Sequence, residues 1–322
     1  MTDRTDPVIV ETDAVSPVVP ASIERVPLDE PASSQWRDVW RQFRSHKGAM
    51  AGAVVLIVIV LAVVVGPWVW IWEADFNNIR ERNASPSWRH PFGTDSLGRD
   101  LFARMLDGGR VSLAVGVVAM ALSIVLGTLV GVLAGYFKWI DGLLMRLTDL
   151  FLALPLLPLL LVGVLLFREP LGNAFGAEAG IFILIVCGIG ITSWMPTARI
   201  VRGDVLALKE REFILAARSS GTRSGRMITR HILPNVLSPI MVSATLGIAT
   251  AIITESALSF LGLGFPPDFP TWGKLLQDGV MFIQLYPERV IFPGLAISIV
   301  VLSINYIGDG LRDALDPRIR GR

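Results

Sequence analysis

Charge is scarce in this sequence. Only 18% of its 322 residues are Asp, Glu, Lys or Arg, where a soluble domain carries about 25%. Whole stretches contain none. An apolar run of about 18 residues without charge reads as a membrane-spanning helix, because lipid offers an unpaired backbone no other partner. The formal net charge is +1, so electrostatics give no pointer to nucleic acid. Cysteine is nearly absent: Cys187 stands alone in an apolar run, which excludes an intrachain disulfide and a cysteine-based metal site. It reads as a small buried hydrophobe. The three histidines, His46, His90 and His231, are far apart in sequence. No GxxxxGK[ST], HExxH or GxSxG sequence occurs, and the apolar runs hold too few polar residues to converge on a reacting centre. The expectation is a chain with no catalytic site and no metal of its own.

What is present is apolar and periodic. Six spans stand out, covering about Ala49–Trp72, Val111–Phe137, Leu147–Phe167, Ile181–Trp194, Val236–Leu261 and Val290–Ile307. Gly66-Pro67 predicts a kink near the outer end of the first span. Pro155 and Pro158 fall inside the third, and the fourth is short, ending near Pro196. The fold class is therefore an all-α integral membrane protein with six transmembrane helices. Residues 1–31 are polar, have no apolar core segment and are not a signal peptide. They read as a disordered cytoplasmic tail. Residues 32–48 place Trp36, Val39, Trp40 and Phe43 on one helical face and Arg37, Arg41 and Arg44 largely on the other, the pattern of a helix lying in the membrane interface. A plain juxtamembrane anchor and a specific packing role both stay open. Residues 49–72 form the first transmembrane helix, 73–110 an outer loop with a GTDSLGRD segment, 111–312 a five-helix core containing the loop 199–235, and 313–322 a cytoplasmic C-terminus.

Orientation follows from the basic residues of the loops. With the N-terminus inside, twenty of the 29 Lys and Arg residues fall on the inner side and nine on the outer. Both termini are therefore expected in the cytoplasm.

The loop RGDVLALKEREFILAARSSGTRSGRMITRHILPN is long, basic and helical in character. Glu212, Phe213, Ala216, Ala217 and Ser220 lie close together on a helix surface, and small Ala side chains allow close approach of another protein. Gly221 tolerates a left-handed turn, and Pro234 marks entry into the fifth span. Two readings stand: a solvated positive loop, or a rigid knob that carries force from a docked partner into a transmembrane helix.

This loop resembles the EAA loop of permease subunits in ABC-type importers, through Ala216, Ala217, Gly221 and Leu233-Pro234. Leu215 stands where the motif has Glu, and His231 where it often has Ile. HPFGTDSLGRDLFARMLDGGRVSL, from His90 to Leu113, looks like the stretch found in the C-type membrane subunit of dipeptide and oligopeptide ABC permeases. In it Thr94-Asp95-Ser96, with Gly93 and Gly98, makes a tight turn before a helix, and Asp100 and Arg104 are spaced to pair. A calcium loop fails on ligand count, since only Asp95 and Asp100 are close by. Glu255-Ser256-Ala257-LSFLGLG with Trp272-Gly273, and NYIGDGLRDALDPR, resemble two further stretches of that subunit. The resemblance runs from about Trp36 to Arg318.

The resemblance implies the type I ABC importer permease fold and a pore-forming subunit that moves di- or oligopeptides into the cytoplasm by alternating access. It places the protein in the bacterial inner membrane, with a second permease subunit, two ATP-binding subunits carrying ATP and Mg, and an extracytoplasmic peptide-binding protein. Nickel complexes, haem and some sugars use close relatives. The implied coupling residues are Glu212, Phe213, Ala216, Ala217, Arg218, Gly221, Leu233 and Pro234. Glu255, Ser259 and Asn305 are candidates for the translocation path or its gate, and an ionisable group within a span faces protein or water. The favoured reading of Glu255 is a residue that hydrogen-bonds a neighbouring helix or the partner subunit, and Asn305 is read the same way. Asp309, Arg312, Asp313 and Asp316 tie the C-terminus to a partner or form local pairs. A gradient-driven carrier is the rival class, but such carriers usually place several ionisable groups mid-membrane. A scaffold leaves the EAA-like loop unexplained.

Overall fold

The computed structural model describes residues 35–266 and 268–315. The tail 1–31 and the end of the C-terminal segment, Asp316 included, lie outside the described residues. Helix α1 (Gln35–Ser45) leads into α2 (Lys47–Val69), the first span. His46 caps α2, its Nδ1 accepting from the Ala49 amide at 3.0 Å. Pro67 has no N–H, so it leaves the Val63 carbonyl without its helical partner. Arg110, from the next long helix, supplies the missing donor: its Nε lies 2.7 Å from the Val63 oxygen, and Nη2 reaches the Val64 oxygen.

Residues 70–100, the segment expected on the outer side, form a compact layer with one 3-10 turn, Ile79–Glu81. Helix α3 (Leu101–Tyr136) follows. At 1.5 Å per residue its 36 residues extend about 54 Å, well beyond a hydrocarbon core of about 30 Å. It therefore begins ten residues before the apolar run that announces it. Helices α4 (Lys138–Ala153) and α5 (Leu156–Phe175) meet at Leu154-Pro155. Here the structure corrects the third span, expected as one helix over 147–167. Proline disfavours a helical conformation at the residue before it, and Leu154 is extended, with ψ 134°. The membrane-crossing helix is α5.

Helices α6 (Ala177–Thr192) and α7 (Met195–Lys209) form one bent crossing, with Pro196 in the first turn of α7. The short α8 (Glu212–Ser219) and α9 (Ser224–Met227) precede a π turn (Ile228–Ile232) and a 3-10 turn (Leu233–Asn235). Then come α10 (Leu237–Phe260), α11 (Trp272–Val280) and α12 (Glu288–Leu315). Among the described residues, six helical segments are long and apolar enough to cross a membrane, with α6 and α7 counted as one.

Helix α3 is the central post, packed against α2, α6, α7 and α10, while α12 packs on α2 and α10. Close approach of α3 to α7 depends on Gly127, Gly131 and Gly135. A Cβ at these positions would lie 2.7 Å from the Trp194 oxygen, 2.6 Å from the Ala198 oxygen and 2.7 Å from Val205 Cβ. The outward faces are apolar, with Val54, Ile57, Val58 and Leu61 of α2 all exposed. That is the arrangement a helix facing lipid requires.

Candidate functional site

Three regions hold the residues singled out from the sequence. The first is a groove of about 430 Å³ between α3, α4, α5, the α6–α7 bend and α10. Its polar lining is hydroxyl only: Thr192, Ser193, Thr197, Ser243 and Thr250, with no charged side chain. Thr197 Oγ1 and Ser243 Oγ lie 2.8 Å apart and join α7 to α10 across its wall. The hydroxyls scattered through these runs gave no periodic signal, so sequence reasoning passed over them.

The second region is α8. Ile214 is buried and Ala217 half-buried, packed with Val205, Met227, Ile232 and Val236. Glu212, Phe213, Leu215, Ala216 and Arg218 stay exposed. The surface expected to be shared by Glu212, Phe213, Ala216, Ala217 and Ser220 is therefore divided, with Ala217 turned toward the body of the protein. Gly221 has φ +77°, and the Thr222 amide donates to the Ala217 oxygen at 3.1 Å, a left-handed helix end. Leu233 is half-buried and Pro234 exposed, in the turn that opens α10.

Polar ties fix α7, the neighbour of α8. Lys209 Nζ donates to the Gly135 and Tyr136 oxygens at 3.0 Å each, closing the end of α3. Arg202 forks onto Asp141 of α4, its Nη2 lying 2.7 Å from Oδ2, and Arg199 pairs with Asp149. The hydrogen bond from Arg202 holds the Asp141 carboxyl below the usual carboxylate range.

The third region surrounds Glu255. This residue is completely buried on α10 and accepts from Ser259 at 2.7 Å, from Ser112 of α3 at 3.1 Å and from Ser256 at 3.4 Å. Ser112 Oγ also accepts from the Trp272 amide of α11 at 3.3 Å. The indole of Trp272 donates to the Met105 oxygen at 3.0 Å, with Gly109 leaving room for the ring. Glu255, braced by Ser259 of its own helix, thus ties α10 to α3 and, through Ser112, to α11, and neither Glu255 nor Ser259 lines the groove. Asn305 is half-buried on α12, also away from the groove. Ser112 and Trp272 are the partners that sequence reasoning did not assign, and their separation along the chain left no local signal.

The GTDSLGRD segment folds as a turn whose acids are occupied. Asp95 accepts from the Leu97 and Arg99 amides and from Arg99 Nε at 2.7 Å. Gly98 has φ +77°, and any Cβ there would overlap the Asn78 carbonyl oxygen. The expected Asp100–Arg104 pair is corrected. Asp100 caps α3 by accepting from the Ala103 amide, and it also accepts from Trp70 Nε1 and contacts His90 Nδ1, each at 2.8 Å. Arg104 turns to Asp95 at 3.3 Å instead. A helix N-cap directs its carboxylate at backbone amides, away from the side chain four residues on.

Residues 123–321 match the family described as binding-protein-dependent transport system inner membrane component. The chain belongs to this family. Residues 34–86 also match the N-terminal TM domain of oligopeptide transport permease C. The family and the six apolar helical segments make the chain a multi-pass membrane protein, a transport subunit of a larger complex rather than a catalytic subunit. Among its relatives is the dipeptide transport system permease protein DppC of Alkalihalophilus pseudofirmus, 42% identical over 90% of this chain and 92% of the relative. The oligopeptide transport system permease protein OppC of Bacillus subtilis is 38% identical over 91% of this chain and 93% of the relative. The glutathione transport system permease protein GsiD of Escherichia coli is 39% identical over 94% of this chain and 97% of the relative.

Proposed function

We propose that this inner membrane component forms half of the translocation pore of an ATP-driven importer of di- or oligopeptides. A second permease subunit supplies the other half. Two ATP-binding subunits, carrying ATP and Mg, dock on the cytoplasmic face, and an extracytoplasmic peptide-binding protein delivers substrate. The membrane is the bacterial inner membrane, with both termini and α8 inside. The observation that carries the reading is α8 itself: an exposed knob with Phe213, Leu215 and Ala216 outward, keyed by Ile214 and Ala217 into the packed feet of α7 and α10. Those two helices also line the groove, so a push on the knob moves the groove wall.

In this reading Glu212, Phe213, Ala216 and Arg218 meet the ATP-binding subunit. Ala217, Gly221, Leu233 and Pro234 hold the knob at its angle. ATP binding draws the two ATPases together, and their unequal affinity for the two states shifts the equilibrium toward an outward-open pore. Glu255 and Ser259 latch the outer ends of α3, α10 and α11, and Asn305 braces α12. The hydroxyl lining of the groove suits peptides, whose amides need hydrogen-bonding partners at every residue. The names of the relatives, for dipeptides, oligopeptides and glutathione, agree with this substrate class.

The test is affinity purification from mild detergent with mass spectrometry, followed by reconstitution. Recovery of ATP-binding subunits, a second six-span subunit and a peptide-binding protein, with peptide uptake that requires ATP, is the expected result. Uptake driven by an ion gradient without ATP would overturn the reading in favour of a secondary carrier.

A further inference from the structure

The outer layer holds a second cavity, of about 610 Å³, between residues 95–104, α11 and the start of α12. Four cations line it, Arg99, Arg104, Lys274 and Arg289, against two acids, Asp95 and Asp278. The imbalance follows from how they pair. Asp95 serves two guanidinium groups, Arg99 at 2.7 Å and Arg104 at 3.3 Å. Lys274 pairs with Asp278 at 2.9 Å. Arg289 is held by neutral acceptors, Asn83 Oδ1 at 2.8 Å and the Thr94 oxygen at 2.7 Å. The side chains of Arg99, Arg104 and Lys274 are no more than 15% exposed. Positive charge within low-dielectric walls is screened less than at an open surface and attracts an anion into the cavity.

Phe260, the last residue of α10, also lines this cavity. Ser243, Gly247 and Thr250 of the same helix line the groove. From Ser243 to Phe260 the rise along α10 is about 25 Å, so one helix runs from the outer cavity to the groove. We propose that the outer cavity seats the carboxylate of a peptide before it enters the groove. This rests on the peptide-import reading. A carboxylate is the one negative group that every peptide with a free C-terminus carries, and guanidinium and ammonium groups bind it by charge-assisted hydrogen bonds.

The test uses the whole transporter in lipid nanodiscs without the binding protein. Equilibrium dialysis measures a radiolabelled N-acetyl dipeptide acid, its C-terminal amide, and acetate. The expected result is an acid bound at least about tenfold tighter than the amide and than acetate. Lys274→Glu should abolish the preference for the acid. Asp278→Asn, which raises the local positive excess, should tighten the acid about threefold and leave the amide unchanged. The tightening variant keeps the test decisive if Lys274→Glu fails to assemble. Equal affinity for acid and amide, acetate bound as tightly as the peptide acid, or an Asp278→Asn variant that does not tighten, each overturns the proposal. ATP-dependent peptide uptake by wild-type proteoliposomes with the binding protein is measured in parallel. Its absence overturns the import reading, and its presence with no preference for the acid overturns the cavity assignment alone.

Discussion

Ser112 on α3 donates its hydroxyl to Glu255 on α10 at 3.1 Å, across 143 residues of sequence, and accepts the Trp272 amide of α11 with the same oxygen. One hydroxyl thus joins three helices. Removing the carboxylate leaves buried hydroxyls without an acceptor, each costing about 1–3 kcal/mol. Glu255→Ala should lower the thermal midpoint of the purified protein clearly, while Glu255→Gln, which keeps an acceptor, should lose much less. Equal losses for the two variants would show that the hydrogen bonds are not what holds this junction.

Gly221 has no atom within 4 Å of where a Cβ would stand, yet its φ is +77°. The cost of a side chain there is therefore backbone strain alone, about 1–2 kcal/mol for an L-residue in the left-handed region. Gly221→Val should leave membrane insertion and assembly intact but separate ATP hydrolysis from peptide uptake in proteoliposomes. Normal uptake per ATP hydrolysed would remove α8 from the coupling path.

Arg110 replaces the donor that Pro67 cannot supply. Arg110→Met keeps much of the side-chain volume and leaves the Val63 and Val64 carbonyls without it, for a loss of about 1–3 kcal/mol. The double change Pro67→Ala with Arg110→Met restores the helical amide at position 67 and should recover part of that loss. Thermal denaturation of the wild type, Pro67→Ala, Arg110→Met and the double variant measures this directly.

The Asp141–Arg202 fork gives a pH dependence of definite sign. Arg202 lowers the folded-state pKa of Asp141. The contribution is present above the ordinary carboxylate range and disappears as pH falls through the lowered value. Both side chains are partly exposed, so solvent screening keeps the effect small. Asp141→Asn should remove that share of the acid-side loss of stability and change little at neutral pH.

Much of this protein is legible along the chain. Scarce charge and long apolar runs specify helices in lipid, because no other element satisfies the backbone there. Gly221 and the GTDSLGRD turn are equally readable, since a positive φ or an Asx turn depends on a few consecutive residues. The third span was displaced because a hydropathy run does not weigh the conformational limit that Pro155 places on Leu154. Asp100 and Arg104 were paired by spacing, whereas Asp100 is used up by the helix start and by His90 and Trp70, which only the folded outer layer brings near.

The sequence by itself determined the membrane class, the number of crossings and the positions of the knob and the GTDSLGRD turn, all of which follow from local composition and short-range geometry. Only the tertiary structure decided that Glu255 joins α10 to α3 and, through Ser112, to α11, that Ala217 faces inward, and that four cations from distant segments surround one cavity. Those outcomes depend on which helices pack together, and packing is set by the summed fit of whole surfaces, which no short stretch of sequence contains.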